Sequence, residues 1–171
     1  MVAVVQLAPL SSAHAEATLR WVRDPEIAAA IGLLGEATEP GTAAFVARAT
    51  DDPATEAFAI LEGNHHVGNV VLDLIERPVG TARLSVYLGD AAARGRGVGR
   101  RAVELALDQA FGRLGLHKVW LIVHERNEAA IGAYEACGFR REGALREEFL
   151  LDGERIDALR MGVLATDRNP S

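Results

Sequence analysis

The sequence predicts one mixed α/β domain spanning residues 1–171. Its sheet is mostly antiparallel, with a central parallel strand–helix–strand crossover and helices on both faces. Two observations carry this. First, the pairs Gly63-Asn64 and Asp152-Gly153 each separate two strand-like runs, which is tight-hairpin chemistry. Second, a strand, a helix and another strand follow one another between residues 81 and 124, the pattern of a right-handed crossover between parallel strands.

In order, "VAVVQLA" (residues 2–8) reads as the first strand. "SSAHAEATLRWVRDPEIAAAIG" (11–32) reads as helix, broken near Asp24-Pro25 because proline suits a helix's first turn. "GTAAFVARAT" (41–50) is a further short helix. "AFAILE" (57–62) and "HHVGNVVLDLI" (65–75) are the arms of the first hairpin. In "TARLSVYLG" (81–89), Leu84, Val86 and Leu88 alternate with Arg83, Ser85 and Tyr87, as in a half-buried strand.

A helix is expected over 98–114, with Val103, Leu107, Ala110, Phe111 and Leu114 on one face and Gly115 as its stop. "KVWLIVH" (118–124) is a continuous apolar run, expected to be a strand buried on both faces. Asn127 starts a helix that Gly138 ends. "FRREGALREEFLL" (139–151) and "ERIDALRMGVL" (154–164) form the second hairpin; only the final "TDRNPS" looks like a tail.

With 49% hydrophobic and 25% charged residues, the composition is that of an ordinary globular chain. The single cysteine, Cys137, excludes an intrachain disulfide framework and a multi-cysteine metal site. There is no basic leader ahead of an apolar run and no long uncharged apolar window, so a cytoplasmic protein that does not enter membranes is expected.

The net charge is −6, yet four of the 18 basic residues sit together as Arg94, Arg96, Arg100 and Arg101; the other 14 face 24 acidic residues. So local a patch argues against general nucleic-acid binding and for one compact anion held at one place. The acidic remainder favours a cationic substrate.

The patch lies in "ARGRGVGRRAVELAL" (93–107), where Gly95, Gly97 and Gly99 alternate with other residues just before a helix. A helix start leaves amides unpaired and carries partial positive charge. Glycines let the backbone approach a ligand, and arginines add charge-assisted hydrogen bonds. Such a turn is a pyrophosphate cradle. It is not a P-loop, because no G-x-x-x-x-G-K-[ST] string occurs. It is not a dinucleotide fingerprint either, since Arg100 occupies the third glycine's place. On these residues alone a solvated, arginine-rich helix start stays open.

"RGRGVG" (94–99) resembles the R/Q-x-x-G-x-G/A signature of the GNAT superfamily of N-acetyltransferases. "NEAAIGAYEACGF" (127–139) is similar to that family's N-x-x-A-x-x-x-Y-x-x-x-G-F segment. Residues 138–164, with "YLGDAAARGRGVG" and "WVRDPEI", resemble the branch that holds ribosomal-protein N-terminal, spermidine and nucleotide-amino-sugar acetyltransferases.

The resemblance implies the GNAT acyl-CoA N-acyltransferase fold. It implies direct acetyl transfer from acetyl-CoA, as cosubstrate, to a primary amine: a small cationic molecule, an amino sugar or a protein N-terminus. Backbone amides from Gly95 through Val98 and Gly99 to Arg100 would then hold the pyrophosphate, helped by Arg94 and Arg96. Pantetheine would pair with the strand end at Tyr87, Leu88 and Gly89, where glycine permits a bulge and a free amide polarises the thioester. Asn127 would contact the pantetheine arm while capping its helix, beside Ala130. Tyr134 would be the general acid to the departing thiolate. Cys137 reads as buried filler.

For the general base, Asp157, Asp73, His124 and a water chain stay open. No acid or histidine spacing suggests metal. The rival functions are a non-catalytic acyl-CoA-binding or sensing domain and a nucleotide-binding module. Members of this branch often self-associate, and a homodimer is left open.

Overall fold

The computed structural model describes residues 4–31, 33 and 35–168. One sheet of seven strands runs in the order β1-β2-β3-β4-β5-β7-β6. Its members are β1 (Val5–Pro9), β2 (Glu56–Glu62), β3 (His65–Glu76), β4 (Thr81–Leu88), β5 (Lys118–His124), β6 (Arg140–Leu151) and β7 (Glu154–Leu164). Every pairing is antiparallel except β4 with β5. Residues 2 and 3 of the expected first strand lie outside the described residues.

Both hairpins form at the expected pairs. Glu62 faces His65, with Gly63 taking the positive φ. Leu151 faces Glu154, and Asp152 and Gly153 both take positive φ, as a type I′ turn requires.

Alternation in β2 sorts its side chains to two faces. Phe58 and Ile60 join the main core with Val70, Leu72 and Leu84. That core is closed by α4 (Val98–Asp108) and α5 (Glu128–Ala136) through Ala102, Val103, Leu107, Ile131 and Tyr134. Ala57 and Ala59 face the opposite way, toward Val46 of α3 (Glu39–Asp51). The same side carries α1 (Ala15–Val22) and α2 (Pro25–Ala30), whose Trp21, Val22 and Ile27 pack with Tyr87.

Asp24 caps α2 by accepting from the Glu26 amide at 2.9 Å, with Pro25 in the first turn as the sequence predicts. The expected end of that helix at Gly32 lies outside the described residues. α3 starts earlier than expected because Thr38 accepts from the Gly41 amide at 3.1 Å.

Three expectations are corrected. The helix expected over 98–114 is α-helical only to Asp108 and then widens into a π turn, Gln109–Arg113, with the Leu114 amide reaching Gln109 O at 3.0 Å. β5 is buried on one face, not two. Val119, Leu121 and Val123 are inside, whereas Lys118, Trp120, Ile122 and His124 are half-exposed. The second face is not roofed by a helix: Arg160 lies over Trp120 at 4.0 Å, and Ile122 opens on a cavity. Finally, "TDRNPS" is not all tail: the short helix α6 (Ala165–Arg168) covers its first residues.

The feature that positions the site is a split in the sheet. β4 and β5 pair only from Thr81–Arg83 to Lys118–Trp120. Beyond that, β4 stays with β3 as far as Leu88, and β5 stays with β7 as far as His124. The two parallel strands therefore diverge toward their C-terminal ends, leaving a wedge with strand edges that neither uses.

Candidate active site

The glycine turn stands at the mouth of this wedge. Gly95 and Gly97 take φ of 72° and 81°, and Gly97 is the N-cap of α4. The first turn of α4 closes with the Arg101 amide on Gly97 O at 3.0 Å. The amides of Val98, Gly99 and Arg100 therefore have no helical carbonyl to bond. A Cβ built on Gly95 or Gly97 would meet nothing within 4 Å, so the turn presents open backbone. This fits a diphosphate group.

A cleft of about 550 Å³ runs from this turn along the end of β4 to α5. Tyr87, Leu88, Arg94, Gly95, Gly97, Gly99 and Arg100 line it from one side, and Asn127, Ala130 and Tyr134 from the other. Leu88 O accepts from Arg94 Nε at 3.0 Å, so this carbonyl is turned away from β3. A strand residue directs its N–H and C=O to the same side. The Leu88 amide is therefore a donor at the wedge.

Three expected residues do not line the cleft. Arg96 turns away to Glu62, at 2.5 Å, and to Ala92 O. Val98 is buried in the main core and offers only its backbone. Gly89 packs against α1, since a Cβ there would lie 1.9 Å from Cδ2 of the Trp21 indole; β3 and β4 pair Gly68 with Leu88, and the next bond, Asp90 N–H to Val67 O at 3.0 Å, skips Gly89, the one-residue slip of a bulge. Nor are the arginines as bare as the sequence suggests, since Arg100 and Arg101 share Glu104, each at 3.1 Å.

On α5, Asn127 Oδ1 accepts from the Ala130 amide at 3.1 Å, as the capping argument requires. Tyr134 projects two turns further along. It is 9% exposed and 5.7 Å from the Phe139 ring. Burial, with a smaller contribution from Cys137, pushes its pKa well above the ordinary tyrosine value, so the phenol stays protonated at neutral pH. Burial pushes the Cys137 thiol up to about 11, which makes it inert as a nucleophile.

The base candidates separate clearly. Asp73 is held by Arg83 through two hydrogen bonds of 2.8 and 2.7 Å. Asp157 accepts from the Glu147 amide at 2.8 Å and so fixes a kink in β6 where Glu147 has φ 53°. His124 stands at the C-terminal end of β5 with its ring edge-on to Phe149, and its Nδ1 is buried without a partner. Burial lowers its pKa despite an opposing effect from Glu26, so the ring is neutral at pH 7.

Sequence reasoning missed the support on the far side of β4. Asn69 is fully buried and bonds Thr18 at 2.9 Å, the Tyr87 hydroxyl at 2.7 Å and His66 at 2.7 Å. Trp21 meets His66 edge-on at 4.7 Å. Burial raises the Tyr87 pKa to about 12, so this phenol too is neutral. An asparagine inside the apolar run "HHVGNVVLDLI" was the signal available. Glu26 and Ile27, which also line the cleft, carried none.

A second cavity opens on the α1–α3 side of the wedge. It reaches Arg83 and Ser85 of β4, Ile122 of β5 and Phe149 of β6. The cleft and this cavity share Ala30 of α2 in their linings.

The split sheet thus carries an amide cradle at its mouth, a cleft along the end of β4 and a second cavity beside β4 and β5. A model of the acetyltransferase (GNAT) domain matches residues 5–140, and the chain belongs to that family.

Among relatives, it is similar to spermidine N(1)-acetyltransferase of Escherichia coli K12, 44% identical over 68 residues. It is also similar to N-alpha-acetyltransferase RimI of Mycobacterium tuberculosis, 41% identical over 64 residues. These matches cover 40% and 37% of this chain but only 37% and 38% of the relatives' own lengths. Similarity to the crystal structure of Vibrio cholerae spermidine N-acetyltransferase in complex with CoA and spermine extends much further. It has a TM-score of 0.89 at 25% identity and covers 96% of this chain and 97% of that one.

Proposed function

We propose that the protein transfers an acetyl group from acetyl-CoA to a primary amine that arrives as its ammonium ion. The observation that carries this reading is the convergence, in one cleft, of the open α4 amides, the free edge of β4 and Tyr134. The amides of Val98, Gly99 and Arg100, with the Arg94 and Arg100 guanidiniums, hold the diphosphate. The β4 edge at Val86 and Leu88 takes the pantetheine arm as an added strand. The Leu88 amide donates to the thioester carbonyl oxygen as negative charge grows there.

An alkyl ammonium of pKa about 10.4 must lose a proton first, which costs about 4–5 kcal/mol at pH 7. His124 serves as the proton acceptor, directly or through a water chain; Asp73 and Asp157 are engaged elsewhere, and the buried Nδ1 of His124 has no partner. The amine nitrogen then bonds to the acyl carbon and the carbon–sulfur bond breaks; Tyr134 protonates the departing thiolate, and the second proton shed by the nitrogen restores the phenol. The spermidine-acetylating relatives support a small amine as acceptor. No helix among the described residues is long and apolar enough to cross a membrane, and a cytoplasmic location is part of the proposal.

The test is amine-dependent release of thiol from acetyl-CoA, with the product identified by mass. Thiol release with at least one primary amine is expected. Tight acetyl-CoA binding without turnover of any amine would instead favour a sensing domain.

A further inference from the structure

The acceptor-side cavity and the space beside it together carry one more arginine than carboxylates, in a chain that is acidic as a whole. The protein is acidic, yet the cavity and the smaller space joined to it through Arg83 and Ser85 are lined by four arginines and three carboxylates. Asp73 and Arg83 neutralise one another as a bidentate pair. That leaves Arg23, Arg48 and Arg155 against Glu36 and Glu148, and none of these three arginines has an ion pair among the described residues.

In the larger cavity Arg23 and Arg155 stand with Glu36 and Glu148, so a ligand with only ammonium groups would leave both arginines without an anionic partner. It would also find one carboxylate, Asp73, already occupied. Arginine's planar fork is suited to carboxylate and phosphate, with which it makes paired charge-assisted bonds. We infer that the acceptor is a primary amine that also carries a compact anion, a carboxylate or a phosphate. Arg155 and Arg23 receive the anion, and the ammonium is directed toward His124. This rests on the acetyl-transfer reading above and narrows its substrate class. It also separates this chain from relatives named for spermidine, whose acceptor has no anionic group.

The test uses matched amines with the intact protein and acetyl-CoA: propylamine against β-alanine, ethanolamine against O-phosphoethanolamine, glucosamine against its 6-phosphate, and spermidine as the all-cationic case. The pairs also separate carboxylate from phosphate. Within at least one pair the anionic member is expected to have about 10- to 100-fold higher kcat/KM, the range of a charge-assisted hydrogen bond. That preference should collapse toward unity in Arg155→Gln or Arg23→Gln, and persist in Arg146→Gln as a surface control.

Spermidine as the best acceptor, or a preference that survives both arginine variants, would overturn the inference while leaving acetyl transfer intact. If acetyl-CoA binds and no amine turns over, the acetyl-transfer reading loses support. The cavity is then tested by calorimetric titration with O-phosphoethanolamine: arginine-dependent binding supports the anion subsite, and no binding overturns it.

Discussion

Gly89→Ala adds one methyl group at the point where the acceptor side and the cosubstrate side of β4 meet. The Cβ would lie 1.9, 2.1 and 2.4 Å from three atoms of the Trp21 indole. Carbon atoms in contact sit about 3.5–4.0 Å apart, so the ring must retreat by roughly 1.5–2 Å. It has little room, being 8% exposed with His66 edge-on at 4.7 Å and Tyr87 at 6.4 Å.

Overpacking of this kind costs about 1–3 kcal/mol. For a chain of this length, a loss of about 2 kcal/mol lowers Tm by about 4–8 °C. The displaced ring also pushes on α1 and on the Asn69–Tyr87 bond at the cleft wall, so kcat/KM should fall with Tm. Thermal unfolding and thiol-release kinetics on the same preparations read both. A Gly89→Ala, Trp21→Leu double variant should recover part of the lost Tm, because contacting residues are energetically coupled. A Tm within 1 °C of wild type in Gly89→Ala, at about the resolution of such scans, would refute the packing argument.

Tyr134→Phe should lower kcat by about 10²- to 10⁴-fold with little change in acetyl-CoA affinity, as expected on losing a general acid; stopped-flow thiol release together with calorimetry separates the two. Gly97→Ala adds no clash but places a side chain at φ 81°, so a stability loss of about 1–2 kcal/mol is expected by chemical denaturation. Gly97→Glu adds a carboxylate beside the cradle and should in addition weaken acetyl-CoA binding at least about tenfold, measured calorimetrically. The pKa values of His14 and His124 are lowered, chiefly by burial, so the unfolded chain binds more protons than the native one. Stability is thus fully present above the ordinary histidine value near 6.5 and declines as pH falls through it. Denaturant midpoints at pH 7.5 and 5.5 should show that fall, with a smaller one in His14→Asn.

The parts of this account that were legible in the sequence depend on neighbours along the chain. The hairpin at Asp152-Gly153 needs only two residues able to take positive φ, and the Asn127 cap bonds an amide three residues on. The glycines of the cradle are likewise a local requirement.

What was not legible spans long separations. Arg96 pairs with Glu62, 34 residues away, so a side chain that reads as free in sequence is engaged in the fold. The reason for Gly89 is Trp21, which belongs to another layer. The apolar run alone could not show that one face of β5 stays open, because that depends on what packs over it: Arg160 on Trp120, and a cavity beside Ile122. Of the three side-chain base candidates, two proved to be ion-pair or backbone partners, contacts that no local pattern encodes.

The most direct measurement of the central claim is thiol release from acetyl-CoA with a panel of primary amines, wild type beside Tyr134→Phe, with products identified by mass spectrometry. The account predicts an N-acetylated amine formed in step with free coenzyme A, and near-loss of that turnover in the variant with acetyl-CoA binding retained. Equal turnover in both proteins would contradict the role given to Tyr134. Acetyl-CoA that neither binds nor reacts would contradict the account as a whole.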